Sequence, residues 1–325
     1  AKSGSRHFYI DNPEILIEGF TLTGGGGAKF GGGAGSIYNI GGTIRNCRFT
    51  DNLIGRNTYG LSICNEGGHI DGCEFYGALI GSATPVAQSD ITYGQVYQTG
   101  AEAITERCIF RDNVFRNRHQ GHHTAVGVHL NGGIVRTSLF YNNRWSNGKE
   151  SAAVGSNSGT AVFIANGTVE NCTFVNNQSC VLDPTAPEGT TTDGLGKPCA
   201  SSGVSAPSLS AAASIVNCIF VDNTNSLGVV SEIYAKDGVA VNCRVDELTD
   251  ALMAQGCIGA EPQFRNRSAN DYRISSGSPC GKAGLYRGSW MENALDLAGK
   301  PLVRGTLRAP LGCYGVGYPS IFMMR

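Results

Sequence analysis

The chain of 325 residues carries little charge of either sign, and this scarcity excludes several kinds of partner. Charged residues make up 16% of the sequence, and the formal net charge is −1. A protein that binds nucleic acid or an anionic membrane surface electrostatically needs a basic excess, which this chain does not have. No apolar run approaches the ~20 residues that a membrane-spanning helix requires. We therefore expect no nucleic-acid partner and no transmembrane segment.

Several motifs of enzymes and metal sites are also missing. No two of the twelve cysteines are spaced as C-x-x-C, which argues against zinc-ribbon and thioredoxin-like sites. No Asp-Asp pair accompanies the "GHH" at 121–123, although polygalacturonases carry paired aspartates and a Gly-His-Gly. The acidic residues are scattered rather than clustered, as a Ca²⁺-dependent lyase would need. We expect no catalytic residue, no metal and no cofactor.

In contrast, one motif recurs along most of the chain. "GGTIRNCRFTDN" (41–52) returns as "GTVENCTFVNN" (167–177) and "ASIVNCIFVDN" (213–223), with shorter copies between them. Aligned on the aromatic residue, the copies are separated by 25 to 46 positions. A repeat of roughly 20–50 residues indicates a solenoid, with the variable lengths taken up by loops on its outside.

Each repeat reads as a strand, a one-residue corner and a second strand. Cys47 and Phe49 are two residues apart and can share one face of a strand. Ile44 can face inward with them only if the chain bends between Ile44 and Cys47. Asparagine and glycine tolerate the left-handed backbone that such a bend requires. The predicted corner residues are Asn46, Asn171, Asn217 and Asn242.

The sequence therefore predicts an all-β protein, a right-handed parallel β-helix of about eight turns over residues 1–257. Stacking of the turns would place like residues above like at ~4.8 Å. The predicted interior columns contain Cys47, Cys73, Cys108, Cys172, Cys218 and Cys243, and Phe49, Phe75, Phe110, Phe140, Phe174 and Phe220. Ser138 interrupts the cysteine column, and Val245 replaces the last aromatic residue.

The repeats also resemble a known family. "GGGAGSIYN" (31–39) followed by F-x-x-N is similar to the GGA and F-x-x-N repeats of polymorphic outer-membrane proteins and related secreted β-helix proteins. Phe49–Asn52 and four later copies match F-x-x-N, whereas Phe75–Ala78 does not. The resemblance implies this fold and a secreted or cell-surface location, and says little about activity.

The closing part of the chain, 258–325, resembles the last segment of bacterial surface proteins of the choice-of-anchor Q type. The resemblance rests on "EPQFRNRSANDYRISSGSPCGKAGL" (261–285) and "DLAGKPLVRGTLRAPLGCYGVG" (296–317). Cys280 and Cys313 stand where those proteins usually have alanine. This paired change suggests a disulfide between Cys280 and Cys313 that pins the tail across the open end of the coil, the alternative being two buried free thiols.

A second disulfide is predicted in an insertion. Cys180 and Cys199 bracket a loop rich in Pro, Gly and Thr, which has few residues that could stabilise a fixed conformation. A bridge closing about 20 residues could stabilise it by ~3 kcal/mol.

Three further groups are weaker candidates for chemistry. The histidines His119, His122, His123 and His129 could bind a metal, although a solvent-facing loop is the simpler interpretation. Asp51, Asp112 and Asp222 share one motif position and could form an outward row that binds a sugar or a cation, the alternative being a solvated turn. Tyr97, Tyr141 and Trp145 could stack on sugar rings.

We expect an extracellular structural or adhesive surface protein. The segment 7–25 reads as a complete turn with no signal region before it, which suggests a processed or shortened chain. Its unpaired edge could take up another chain, so that subunits stack end to end into a fibre. The alternatives are a polysaccharide lyase or hydrolase, and a non-catalytic protein that binds surface glycans.

Overall fold

The computed structural model describes most of the chain. The described residues are 5–26, 35–52, 59–80, 93–117, 125–147, 160–182, 202–206, 214–225, 228–235, 239–303 and 308–316. The GGGA at 31–34 lies outside them, as do His119, His122, His123 and Cys199; of Cys180 only the backbone is described.

The chain passes repeatedly around a stack of short parallel strands, and we call one passage a coil. The first four coils contain β1 (Phe8–Ile10), β2 (Leu16–Glu18), β3 (Thr21–Thr23); β4 (Ile37–Asn39), β5 (Thr43–Arg45), β6 (Arg48–Thr50); β7 (Ile63–Asn65), β8 (His69–Asp71), β9 (Glu74–Tyr76), β10 (Leu79–Ile80); β11 (Val96–Gln98), β12 (Ile104–Glu106), β13 (Ile109–Arg111) and β14 (Val114–Asn117).

Four more coils follow in the same pattern. They contain β15 (Val128–Arg136), β16 (Leu139–Tyr141), β17 (Arg144–Asn147); β18 (Val162–Glu170), β19 (Thr173–Val175), β20 (Gln178–Leu182); β21 (Val204–Ala206), β22 (Ser214–Val216), β23 (Ile219–Val221), β24 (Thr224–Asn225); β25 (Ile233–Ala235) and β26 (Val239–Val241).

Equivalent strands of successive coils pair in parallel and form four rows. The first row is β1, β4, β7, β11, β15, β18, β21 and β25, and the second is β2, β5, β8, β12, β15, β18, β22 and β26. The long strands β15 and β18 belong to both rows and join them into one 14-stranded sheet. The third row is β3, β6, β9, β13, β16, β19 and β23, and the fourth is β10, β14, β17, β20 and β24. The prediction of an all-β, solenoid-like repeat with parallel sheets is confirmed.

Two left-handed corners in each coil that has a third-row strand set the register. The first corner, with φ between 45° and 64°, is formed by Asn46, Gly72, Arg107, Thr137, Asn171, Asn217 and Asn242. A second corner follows five positions later, at Asp51, Gly77, Asp112, Asn142, Asn176 and Asp222. Gly19 and Gly24 have the same spacing and also positive φ in the first coil. Because the third-row strand always lies between two such bends, its central residue reaches the same position in every coil.

That central residue forms a stack of buried aromatic rings. Consecutive rings lie parallel, with centroids 4.6–4.9 Å apart, through Phe49, Phe75, Phe110, Phe140, Phe174 and Phe220. All six side chains are fully buried, and Val245 lies in the same apolar core. Each buried ring contributes roughly 1.5–3 kcal/mol from burial alone.

The end of the last coil is covered by a helix inside the predicted repeat region. The short helix α1 (Asp250–Ala254) is capped by the Thr249 side chain, which accepts a hydrogen bond from the Leu252 amide. Leu248 and Leu252 pack against the core of the coils. The strand-like segment that follows pairs with the last coil, because Ile258 donates its amide hydrogen to the Cys243 carbonyl.

The closing segment lies along the side of the stack and not across its open end, so the predicted placement is wrong. This segment contains β27 (Phe264–Asn266), β28 (Asp271–Ile274), β29 (Gly284–Leu285), α2 (Trp290–Asn293) and β30 (Arg308–Ala309). Its Tyr272, Ile274 and Leu311 pack on apolar residues of the third row such as Ile219 and Val221. In its later coils the third row presents apolar side chains outward as well as inward, among them Leu139, Val175 and Ile219, and this second apolar face has to be buried.

The predicted Cys280–Cys313 disulfide is not formed in the structure. Both residues are buried free thiols in the apolar cluster between the closing segment and the third row. Burial raises the pKa of Cys280 to about 11 and that of Cys313 to about 12, so both thiols stay protonated. Hydrogen bonds hold the segment instead, since Gly312 donates to the Asn217 carbonyl at 2.8 Å and Cys313 to Thr173 Oγ1 at 3.0 Å.

Thr137 is the corner residue least suited to its conformation, and this leads to a stability prediction. It is β-branched, it has φ 45°, and its buried hydroxyl has no hydrogen-bond partner among the described residues. We expect Thr137→Asn to raise the free energy of unfolding by about 1 kcal/mol, because asparagine adopts this conformation at lower cost. Asn46→Thr should lower it by a similar amount. Chemical denaturation of both variants checks this; a stabilised Asn46→Thr would contradict it.

Candidate functional site: the side-chain ladders and the outer rows

The cysteine column is a ladder of buried thiols. Each thiol donates a hydrogen bond to the carbonyl two residues before it, at 3.1–3.6 Å, in Cys47, Cys73, Cys108, Cys172, Cys218 and Cys243. Ser138 makes the same bond at 2.8 Å, so it replaces a thiol without breaking the pattern. Burial raises the pKa of Cys73, Cys218 and Cys243 well above the ordinary value. Such thiols are packing groups and poor nucleophiles.

The column continues by one residue that the sequence repeat does not reveal. Cys257 is buried in the same core, and its thiol donates to the Ala240 carbonyl at 3.4 Å. It follows α1 and has no aromatic residue two positions later, so the motif does not mark it.

A second ladder consists of the buried asparagines that end each F-x-x-N motif. Asn113 Nδ2 donates to Asn143 Oδ1, Asn143 to Asn177 and Asn177 to Asn223, each at 2.9 Å. The other hydrogen of each amide goes to a phenylalanine carbonyl of the preceding coil, at 2.8–3.0 Å: Phe75, Phe110, Phe140 and Phe174. Both side-chain donors of Asn113, Asn143 and Asn177 are thus satisfied inside the stack.

The third coil has Ala78 in place of the asparagine, and the side chains of Ser62 and Gln95, which directly precede β7 and β11, bridge the gap. Asn52 Nδ2 donates to Ser62 Oγ at 3.1 Å, and Ser62 Oγ donates to Gln95 Oε1 at 2.7 Å. Gln95 Nε2 then donates to Asn113 Oδ1 at 2.9 Å. The hydrogen-bonded chain therefore runs without interruption from the second coil to the seventh.

The corner asparagines mostly do not form the along-stack ladder that amide side chains could make. Only Asn217 donates to another of them, Asn171, at 3.3 Å. Asn171, Asn217 and Asn242 donate mainly to carbonyls of the closing segment, at 2.8–3.1 Å. The first corner is thus where that segment is attached to the coils.

Asp51, Asp112 and Asp222 occupy the second corner and are exposed. Asn142 and Asn176 hold the same position in the coils between them, where Asn142 donates to Asp112 and Asn176 to Asn142. Asp112 pairs with Arg111, and Asp222 pairs with Arg267. The aspartates are therefore corner formers whose charges two arginines partly compensate.

Charged side chains of both signs line the outer face of the second row. In register from coil to coil these are Glu18, Arg45, Asp71, Glu106, Arg136 and Glu170. Arg136 donates a hydrogen bond to Glu106 at 2.6 Å, and Arg107 donates two hydrogen bonds to the Asp71 carboxylate. Although burial opposes ionisation, His69 and Arg136 lower the pKa of Glu106 to about 2.

One group in this row has the composition of a metal site. Ligand atoms of His69, Asp71 and Glu106 all lie within 4.8 Å of one another, and His69 Nε2 is 2.9 Å from Glu106 Oε1. Arg107 and Arg136 already neutralise the two carboxylates. A divalent cation would have to displace or face both guanidinium groups, so we assign the group as an ion-pair network.

A line of aromatic side chains, which we call the aromatic row, lies on the outer face of the first row of strands. Tyr9 stacks on Tyr38 with centroids 5.5 Å apart, and Tyr59 contacts both Tyr93 and Tyr97 at 5.0–5.1 Å. The row continues from Tyr97 through His129 to Phe163, both of which are buried. Tyr9 and Tyr59 are the exposed members, at 58% and 39%.

The other predicted aromatic residues are not available for a ligand. Trp145 is buried in a small apolar cluster, and Tyr141 packs against Tyr272 of the closing segment. The predicted Cys180–Cys199 bridge and three of the four predicted histidines fall outside the described side chains.

One pair of carboxyl groups lies at the last coil. Glu232 is buried, and its Oε2 accepts a hydrogen bond from the Asp246 amide at 2.8 Å. Burial together with the charge of Asp246 raises the pKa of Glu232 to about 8.

Comparisons with protein-family models, with curated proteins and with solved structures each give no significant match to this chain. Among the described residues, none of the helices has the length and apolar character needed to cross a membrane.

The asparagine ladder gives the second prediction. Asn143→Ala removes the acceptor of Asn113 and the donor to Asn177 and to Phe110, leaving buried polar groups unpaired. We expect a loss of about 2–4 kcal/mol in the free energy of unfolding, because each unpaired buried group costs about 1–3 kcal/mol.

The matched control is Asn142→Gly in the same coil, which removes a half-exposed amide and suits the left-handed backbone. Denaturant unfolding should show a change below about 1 kcal/mol for this control. Equal losses for the two variants would contradict a special role for the ladder.

Proposed function

We propose that this protein is an extracellular structural or adhesive surface protein whose repeats form a right-handed parallel β-helix. The observation that carries the proposal is the unbroken series of side-chain hydrogen bonds that runs from the second coil to the seventh, beside the phenylalanine stack. Its polar interior groups bind one another instead of facing a cleft. The right hand follows from the strong preference of parallel strand connections for that hand.

Such an arrangement suits a stiff, elongated scaffold. Each coil is fixed to its neighbours by backbone pairing, stacked rings and side-chain hydrogen bonds, so that bending would break several ladders together. The charged outer row is largely compensated internally, which leaves little net field to attract a charged partner.

Surface glycans are the partners that the aromatic row favours. Tyr9 and Tyr59 are the exposed members of this row. A tyrosine offers an apolar ring and a hydrogen-bonding hydroxyl, and a sugar offers an apolar ring face and hydroxyl groups that match them. We place adhesive contact at this row. A lyase or hydrolase remains the alternative function.

A panel of neutral and acidic polysaccharides tests this function. We expect binding without new reducing or unsaturated ends, and a two- to tenfold weaker affinity for Tyr59→Ala, because an aromatic contact is worth about 0.5–1.5 kcal/mol. Tyr286→Ala, on the closing segment, is the matched control and should bind normally. Release of product ends that persists in highly purified protein would favour the enzyme.

End-to-end association is the second part of the proposal. The first coil exposes four large apolar side chains within twelve residues: Tyr9, Ile15, Leu16 and Phe20. Its strands β1, β2 and β3 are terminal in their rows among the described strands. Because α1 covers part of the last coil, we place the proposed contact at the first coil.

Sedimentation over a concentration series tests the association. We expect oligomers for the unmodified protein and a weaker, right-shifted association curve for Leu16→Asp, which puts a charge on the edge. Leu285→Asp is the matched control, since Leu16 and Leu285 have the same 44% exposure and lie in different parts of the molecule. A protein that stays monomeric at all concentrations, or equal effects of the two variants, would refute this contact.

A further inference from the structure

The closing segment contains a pocket that brings together three separate parts of the chain. Its walls are the paired strands β27 and β28, the turn that contains Lys300, and the segment at Gly315. Three cationic side chains line it: Arg265 from β27, Arg273 from β28 and Lys300 from the turn. We call this the basic pocket.

The buried carboxylate of Asp296 holds the walls of the basic pocket together. The residue is 4% exposed. Its Oδ1 accepts hydrogen bonds from the amides of Ala298 and Lys300 at 2.9 and 2.8 Å, and its Oδ2 accepts one from the Gly315 amide at 3.0 Å. Both oxygens are thus bound to the backbone, and they fix the turn against the segment at Gly315.

Two arginines enter the pocket from neighbouring strands. Phe264 of β27 pairs with Ile274 of β28, and both pack against the apolar cluster on the third row. Because side chains alternate along a strand, the adjacent Arg265 and Arg273 share the opposite, exposed face. Like charges that face each other across antiparallel strands destabilise the pair. An anion bound between them would remove that cost.

The neighbouring carboxylate of Asp271 compensates only one of these arginines. Arg273 donates from Nε to Asp271 Oδ1 at 2.7 Å and from Nη2 to Oδ2 at 2.5 Å. These bonds, with a smaller effect of Arg265, lower the pKa of Asp271. They leave Arg273 Nη1 without a hydrogen bond among the described residues, and Arg265 forms no ion pair there.

The formal charges around the pocket do not cancel. Arg265, Arg273 and Lys300 carry three positive charges, and Asp271 and Asp296 carry two negative ones. One positive charge is left in excess, at the place where Arg265 and Arg273 Nη1 still have donors to offer. The charge and the donors both call for an anion that accepts several hydrogen bonds.

We propose that the basic pocket binds the carboxylate of a uronic acid in an acidic polysaccharide. The guanidinium of Arg265 presents parallel N–H groups that match the two oxygens of a carboxylate, Arg273 Nη1 adds a donor, and Lys300 adds charge. The bound carboxylate neutralises the excess charge. That the carboxylate belongs to a polysaccharide rests on the proposed function.

Polygalacturonate and its fully methyl-esterified form test the pocket, because they share one backbone and differ in the carboxylate. We expect the unmodified protein to bind polygalacturonate at least about tenfold more tightly than the ester, the effect of a charge-assisted hydrogen bond. Arg265→Gln should remove most of this difference and leave binding of the ester unchanged, which also shows that the variant is folded.

Lys282→Gln is the matched control, since it removes one exposed positive charge from another part of the closing segment. It should keep the preference for polygalacturonate. Equal losses for the two variants would show a general attraction between charges and would overturn the pocket. Dextran sulfate, compared with dextran, presents sulfate instead of carboxylate; dependence on Arg265 for dextran sulfate alone would overturn the assignment of a uronate.

The same measurements separate failure of the pocket from failure of the proposed function. If the methyl ester binds through Tyr59 and polygalacturonate binds no more tightly, the basic pocket is refuted and the glycan-binding function stands. If none of the four polysaccharides binds, both are refuted.

Discussion

The fixed distance of five residues between two left-handed corners is the constraint on which the rest of the structure depends. It appears as Asn46 and Asp51, as Arg107 and Asp112, and again in every coil with a third-row strand. The loops between coils vary in length, but the segment between the corners does not. Rings, thiols and amides can therefore stack in register although the repeats themselves are irregular, because only this segment has to match its neighbours.

Much of the interior could be predicted from the sequence because its signals are local. The cysteine, the phenylalanine and the first corner residue occupy adjacent positions of one motif, so their columns follow once the motif is aligned. The second corner also has a local signal, since Asp, Asn or Gly precedes the final position in each copy, although the same aspartates are compatible with an outward row that binds a ligand. Thr137 and Arg107 show that the fold imposes the corner even on unsuitable residues.

What the sequence could not show depends on contacts between distant segments. Gln95 completes the asparagine ladder from a different row, and nothing in its own surroundings marks it as a substitute for the amide missing at Ala78. The charged side chains that meet on the second row lie in separate coils. The closing segment was expected at the open end because its resemblance carries no information on where it docks; the outward-facing apolar residues of the third row, such as Ile219, determine that place.

The asparagine ladder has a direction. Each amide oxygen accepts from the amide of the coil before it, and one hydrogen of each amide nitrogen goes to the amide of the coil after it. Backbone groups share these bonds, since Asn143 Nδ2 also donates to the Phe110 carbonyl and the Asn143 amide donates to Asn177 Oδ1, so a reversed amide would not fit. The amide dipoles therefore add along the axis instead of cancelling, and each bond polarises the next. The amide dipoles in the interior of the stack therefore point the same way along its axis. Its two ends differ electrostatically even though the chain as a whole is almost neutral.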